Sequence, residues 1–484
     1  MVSAGAAFGV SRRQFLAGTA GIAASAVWPQ YATAQSGPLS LTATSRVLDI
    51  DGRAATVFGL TNAAGGQGLV LDPGQPFRVD LTNALDVETI IHWHGQIPPN
   101  SQDGVPNFPM PPLSTGETRS YDFVASPGTH WMHSHIPVQE MALLAAPLIV
   151  RSATDVAADR QEIAMFLHDF SFRPAEEVLA EITGGTATHD MAAMDHSTMK
   201  MPSDAMDMTA MSGMKMDLND FNFDAYLAND RTLNDPEVIA VESGGRVRLR
   251  VINGSAATVF WVDTGVPARL IAVDGQPIVP IMGARFGVAM AQRLDLEIDL
   301  PGAGAFPILA LREGASERTG IILATPGAKI AKISGVSETV SPAFDTDMSQ
   351  EMRLQAVSPL VARRADRTQM IMLAGSMMPY VWTIDGQSWD THQPIVATTG
   401  ERVEMMFHNM SMMGHPMHLH GHRFQVVSIN GMALSGAMRD TVYVPPMSTV
   451  TVALDAGEAA RWMLHCHHMP HLSTGMMTEF AVSA

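Results

Sequence analysis

One repeated stretch constrains this chain more than any other feature. Gly74 leads into alternating Phe77, Val79 and Leu81 and closes on Asn83; Gly244 and Gly245 lead into Val247, Leu249 and Val251 and close on Asn253; Gly400 leads into Val403, Met405 and Phe407 and closes on Asn409. Apolar residues at every second position mark a strand buried on one face only, so each copy predicts one such strand. A second set of copies follows later in each unit: Gly128 before Trp131 and Met132, Gly302 before Ile308 and Leu309, Gly457 before Trp462 and Met463. With Gly 40 and Pro 30 punctuating many short alternating runs, the prediction is an all-β chain of three units. Their expected limits are 36–152, 158–328 and 345–484, joined by the polar run 152–159 and by the segment after Pro326.

The single cysteine, Cys466, stands between His465 and His467, with His471 five residues on and Met476 ten on. A thiolate, an imidazole and a thioether are the donors of a blue copper centre, the thioether as weak axial ligand, so Cys466, His471 and Met476 read as three ligands of one copper. Side chains alternate faces on an extended segment. His465 and His467 therefore point away from Cys466, about 6.6 Å apart, and can each hold a different metal. Three further pairs share that spacing, His92 with His94, His133 with His135 and His418 with His420, while His415 stands apart as a second imidazole for the cysteine's copper. The comparable places in the middle unit carry Gly254, Ser255, Ala256 and Ala257, then Leu309, Ala310 and Leu311, without histidine. The first and third units are thus expected to share a metal cluster at their interface, with the third folded back onto the first and the middle unit a spacer. His130, His168, His189, His196, His392, His408, His422 and His468 fall outside the pattern and read as ordinary core or surface residues.

These four segments resemble, in order and spacing, the four copper motifs of the multicopper oxidases, and the resemblance spans essentially the whole chain after residue 34. It implies three cupredoxin-like β-sandwich domains and four copper ions. His415, Cys466, His471 and Met476 would bind the type 1 copper, and His92 and His418 the type 2 copper. His94, His133 and His467 would bind one type 3 copper, His135, His420 and His465 the other. The resemblance further implies that Cys466 hands electrons through its own backbone to His465 and His467, and that dioxygen is reduced to water. Asp103, nine positions after His94, matches an acidic residue of many relatives, implying proton relay or tuning of the type 2 site; by itself it also reads as a turn aspartate before Gly104. Two positions depart from the family. Leu472 stands where many bacterial relatives have a proton-delivering Glu, and Ser411 stands where cuprous-oxidising relatives tend to have Asp, although Met413 is kept.

Residues 1–34 carry Arg12 and Arg13, a short apolar run and an Ala32-Thr33-Ala34 site, which read as a twin-arginine export signal to the periplasm. No later run of eighteen apolar residues occurs, so no membrane span is expected, and one cysteine excludes internal disulfides. The formal net charge of −18 argues against nucleic acid and favours a cationic substrate. Residues 188–216 form a methionine-dense insert with neither helical nor strand periodicity; thioethers bind cuprous ion, although a tolerated loop or a sacrificial oxidation site fits the composition too. Met410, Met412 and Met413 are expected in an approach loop facing substrate. The expectation is an exported, monomeric oxidase taking electrons from cuprous ion or, more loosely, phenols, in copper tolerance. The alternative is a copper-storing or chaperoning protein without turnover.

Overall fold

A computed structural model describes residues 37–184, 218–344 and 348–484; the export signal at 1–34, the methionine insert at 188–216 and residue 345 lie outside the described residues. Strands between 39 and 150 form two four-stranded sheets, those between 161 and 324 one nine-stranded sheet, and those between 367 and 483 a seven-stranded and a five-stranded sheet. The result is three β-sandwiches of cupredoxin-like kind, each around its own apolar core. In the middle unit the two layers are continuous. Strand Phe260–Val273 pairs through residues 260–263 with 309–312, then shifts register and pairs through 268–273 with 294–298, passing from one layer to the other.

The repeated strands are Phe77–Asn83, Arg246–Asn253 and Arg402–Asn409. Phe77, Val79, Leu81, Val403, Met405 and Phe407 all point into their cores. The middle copy departs from alternation, because its polar face is covered by the first unit: Arg250 donates to Thr129 Oγ1 (2.9 Å) and to Asp295 (3.0 Å). The closing asparagine does the same work three times. Asn83 Nδ2 donates to Val87 and Leu113 carbonyls (2.8 and 3.0 Å) while its Oδ1 accepts from Leu85 N–H. Asn253 joins Thr258, Val288 and Ser255 in the same way, and Asn409 joins Met413, Val444 and Ser411. Each amide is fully buried, and only a side chain with both donors and an acceptor satisfies all three loop groups there. That lock fixes the loops leading to His92 and His415.

Residues beyond the middle sandwich run back along it through bridges from Glu317 to Val336, Glu313 to Ser341 and Ile278 to Ala356. Phe344 N–H donates to the buried Glu313 carboxylate (2.6 Å), yet burial outweighs that bond and pushes this carboxyl up to about 8. The folded state therefore keeps a proton that the unfolded chain releases near its ordinary value, and stability contributed below that value is lost as pH rises through about 8. Glu313→Gln should remove a slope of up to about 1.4 kcal/mol per pH unit across that window, measured as the difference between the two proteins in denaturant melts at pH 5 to 8. Among the described residues no helix is long and apolar enough to cross a membrane.

Candidate metal centre

Strand His415–Leu419 lies antiparallel to Arg461–Cys466, with Met417 opposite Cys466 and His418 opposite His465. Alternation then divides the chemistry. Cys466 and Met417 enter the core of the third unit, and His465 and His418 emerge on the other face. The short helix Met469–Ser473, opened by Pro470 in its first turn, turns His471 back onto the cysteine. His415 Nδ1 and His471 Nδ1 lie 3.7 and 3.6 Å from Cys466 Sγ and 3.2 Å from each other. One first-row ion at ~2.0–2.3 Å from each donor spans such separations. Met476 is fully buried in the same core, and its carbonyl accepts the Cys466 N–H (3.1 Å). Burial pushes the Cys466 thiol well up, so a thiolate here needs a cation beside it.

The eight remaining imidazoles meet at the seam between the first and third units, all buried. In five of them Nδ1 is committed. His92 Nδ1 donates to the Asp103 carbonyl and His418 Nδ1 to the Asp440 carbonyl (2.8 Å each); His420 Nδ1 donates to the Asp103 carboxylate (2.8 Å), His465 Nδ1 to the Cys466 carbonyl (3.0 Å) and His133 Nδ1 to Glu140 (2.7 Å). In these five Nε2 is then a bare lone pair. His92 and His418 face each other at 3.4 Å, His420 and His465 at 3.1 Å, with His135 Nε2 at 3.4 Å from His465. Lone pairs so close repel unless a cation stands between them. His94 Nδ1, His133 Nε2 and His467 Nε2 are buried without a hydrogen-bond partner, each such omission costing about 1–3 kcal/mol in a site without metal. Desolvation, joined by mutual repulsion, holds His94, His133, His135, His418, His420 and His467 far below the ordinary histidine range, and His465 at about 3. They are neutral donors, as a metal requires.

Of the expected set, Cys466, His415 and His471 come together on one side and eight imidazoles on the other, with Asp103 buried against His420 and His92, and Met476 lies in the core that holds Cys466. Three supporting residues were missed in reading the sequence. Glu140, on helix Pro137–Met141, binds His133 and lies 3.8 Å from His467 Nδ1, so it reaches histidines of two units. Asp440 accepts at His94 Nε2 (3.2 Å) and is itself gripped by Arg293 of the middle unit (2.7 Å), beside Thr129, Asp274 and Arg439. Asp220 lies 3.8 Å from His471 Nε2 and accepts from Tyr380. Only Glu140 had a local signal, its place seven residues past His133 in a proline-started turn. Partners of the others lie far away in the chain.

Several expectations change. The middle unit is more than a spacer: besides Arg293 it contributes Ala256 to an apolar seam with Val105, Phe108, Met463, Met469, Leu472 and Met477. Leu472 therefore packs that seam. Met413 is buried in the third core rather than turned to substrate, whereas Met410 is exposed. His468, read as a core or surface residue, lies in the core and stacks on His471 at 3.9 Å with Nε2 3.6 Å from Asp220. His422 holds the strand end, donating to the His420 carbonyl and accepting from Gly457 N–H.

Three family models, each described as multicopper oxidase, match residues 42–155, 190–326 and 363–484. The chain is 29% identical over 444 residues to multicopper oxidase MmcO of Mycobacterium tuberculosis, covering 89% of this chain and 84% of that protein. It is 24% identical over 604 residues to copper resistance protein A of Escherichia coli, covering 98% and 99%. Among solved structures, the McoA multicopper oxidase of Aquifex aeolicus superposes with a TM-score of 0.67 at 22% identity, over 93% of this chain and 96% of that one.

Proposed function

Because the chain belongs to the multicopper oxidase family, and is therefore a copper-dependent oxidase, we propose that it couples one-electron oxidation of cuprous ion, and more loosely of phenols, to reduction of dioxygen to water. In this reading it works in the periplasm, exported through the Arg12-Arg13 signal, in copper tolerance. The observation that carries the reading is the set of inward-facing, unprotonated nitrogens at the seam. His415, Cys466, His471 and Met476 would hold a type 1 copper, His92 and His418 a type 2 copper, and His94, His133, His467 with His135, His420, His465 the type 3 pair. When bound, the copper ions supply single-electron uptake from the donor and four-electron reduction of dioxygen.

The chain's own residues do the rest. Cys466 offers a covalent path to His465 and His467, and the hydrogen bond from His465 Nδ1 to the Cys466 carbonyl (3.0 Å) gives a shorter branch. Asp103, Glu140 and Asp440 fix ring orientation and raise donor strength, the usual service of partners behind ligating imidazoles. Asp103 and Glu140, buried at the cluster, are also the carboxyl groups best sited to hold protons for the reaction, since Leu472 cannot. Around His471, Trp382 stacks at 4.1 Å and excludes water, while Asp220 sets negative charge where a cationic donor would approach.

Copper storage without turnover would need neither the His465-Cys466-His467 link nor eight converging imidazoles. Oxygen uptake by the copper-loaded protein with cuprous, ferrous and phenolic donors tests the reading. Deleting residues 188–216 should lower cuprous turnover and leave phenol turnover equal or higher; no oxygen uptake with any donor would leave storage as the function.

A further inference from the structure

The outer face of the seven-stranded sheet of the third unit carries an arrangement that the copper cluster does not use. Strand Arg367–Met377 runs parallel to Arg402–Asn409, with Met370 beside Met406 and Met372 beside His408. Alternation turns Ile371, Leu373, Met405 and Phe407 into the core, where all four are fully buried, and leaves Met370, Met372, Met406 and His408 on the outside. Met410 N–H donates to the Leu373 carbonyl (2.9 Å) and continues the row. Met370, Met372 and Met410 are 55%, 40% and 51% exposed. Five soft donors thus stand on neighbouring positions of one face, about 4.8 Å apart across strands and about 6.6 Å along them.

Thioethers on three rotatable bonds can converge over such distances. His408 is oriented for the purpose: Nδ1 is engaged by Thr449 Oγ1 (2.8 Å), which leaves Nε2 as the outward nitrogen. Glu404 lies on the same face one pair further along and adds negative charge. The donor set selects by softness, since thioether and imidazole without thiolate suit a monovalent d10 ion and hold hard divalent cations poorly.

We infer that this face is a surface binding site for cuprous ion, formed by Met370, Met372, Met406 and His408 with Met410 at its end. Met410 is followed within one short loop by His415, and Ser411 of that loop bonds His415 Nε2 (2.8 Å), so the row ends beside the proposed type 1 site. Its service as a stop on the donor's path rests on the oxidase reading above; its capacity to bind does not.

The test uses copper-loaded protein lacking residues 188–216, so that the insert's own thioethers do not contribute, and Ag(I) as a monovalent soft probe that oxygen does not consume. After equilibration and desalting, about one silver ion per chain is expected beyond the resident copper. The triple variant Met370→Leu, Met372→Leu, Met406→Leu should lose it, as should His408→Gln in large part, whereas Met432→Leu, at the far edge of the same sheet, should retain it. Equal silver in the triple variant, or none in the parent, overturns the site. Oxygen uptake with a phenolic donor by the unaltered protein tests the oxidase reading separately.

Discussion

Cys466→Ser should abolish absorption toward the red end of the visible spectrum and lower oxygen uptake with every donor by ~10³-fold or more, equivalent to about 4 kcal/mol of barrier. The serine hydroxyl is nearly isosteric but too hard and too weakly acidic to hold a soft ion between His415 and His471. The loss should be selective. His465 keeps its bond to the residue 466 carbonyl, and His92, His420, His133, His94 and His418 are held by Asp103, Glu140 and Asp440 from outside. About three coppers per chain should therefore remain, as a four-copper reading of the donors requires. Metal counting with electron paramagnetic resonance checks this; a variant that stays coloured, or that loses all its copper, contradicts the division into two sites.

Arg293→Met should be the most damaging change outside the metal ligands. The guanidinium is fully buried, pairs with Asp440, and donates to the Thr129 and Ala291 carbonyls, which makes it a tie among all three units. Removing one partner of a buried ion pair strands the other, at a cost of about 3–5 kcal/mol. Asp274 retains Arg439 (2.8 Å), but Asp440 keeps only Thr441 and His94. His94 would then lose its anchor, and affinity for the copper it would hold with His133 and His467 should fall ~10–100-fold. The checks are the denaturant midpoint and copper occupancy under chelator challenge, with absorption from the cysteine site as an internal control. Unchanged stability and full occupancy would mean that Asp440 is held by something other than Arg293.

Much of this architecture could be read along the chain because its signals are local. Alternation in the repeats gave the three core strands, and alternation around Cys466 gave the two faces of the metal centre, since both follow from the period of an extended backbone. The recurrent Asn83, Asn253 and Asn409 were visible as a pattern, but their purpose was not, because each amide binds groups 30 to 35 residues away. Asp440 and Arg293 carried no signal: neither lies in a motif, and each acquires meaning only when the middle and third units are packed together. Met413 was misread for a related reason. Its neighbours Met410 and Met412 do lie at the surface of the loop, but the hydrogen bond from Asn409 to the Met413 carbonyl (2.7 Å) draws that residue inward.

The bare nitrogens turned toward one another across the first and third units have a bearing on the lifetime of the molecule. Without metal, those contacts push the two units apart, opposed at the seam by the bonds from His420 to Asp103 and from His94 to Asp440; with metal, every ion held by the folded form alone adds RT ln(1 + [L]/Kd) to its persistence. The persistence of the folded molecule thereby comes to depend on the copper supply of its surroundings.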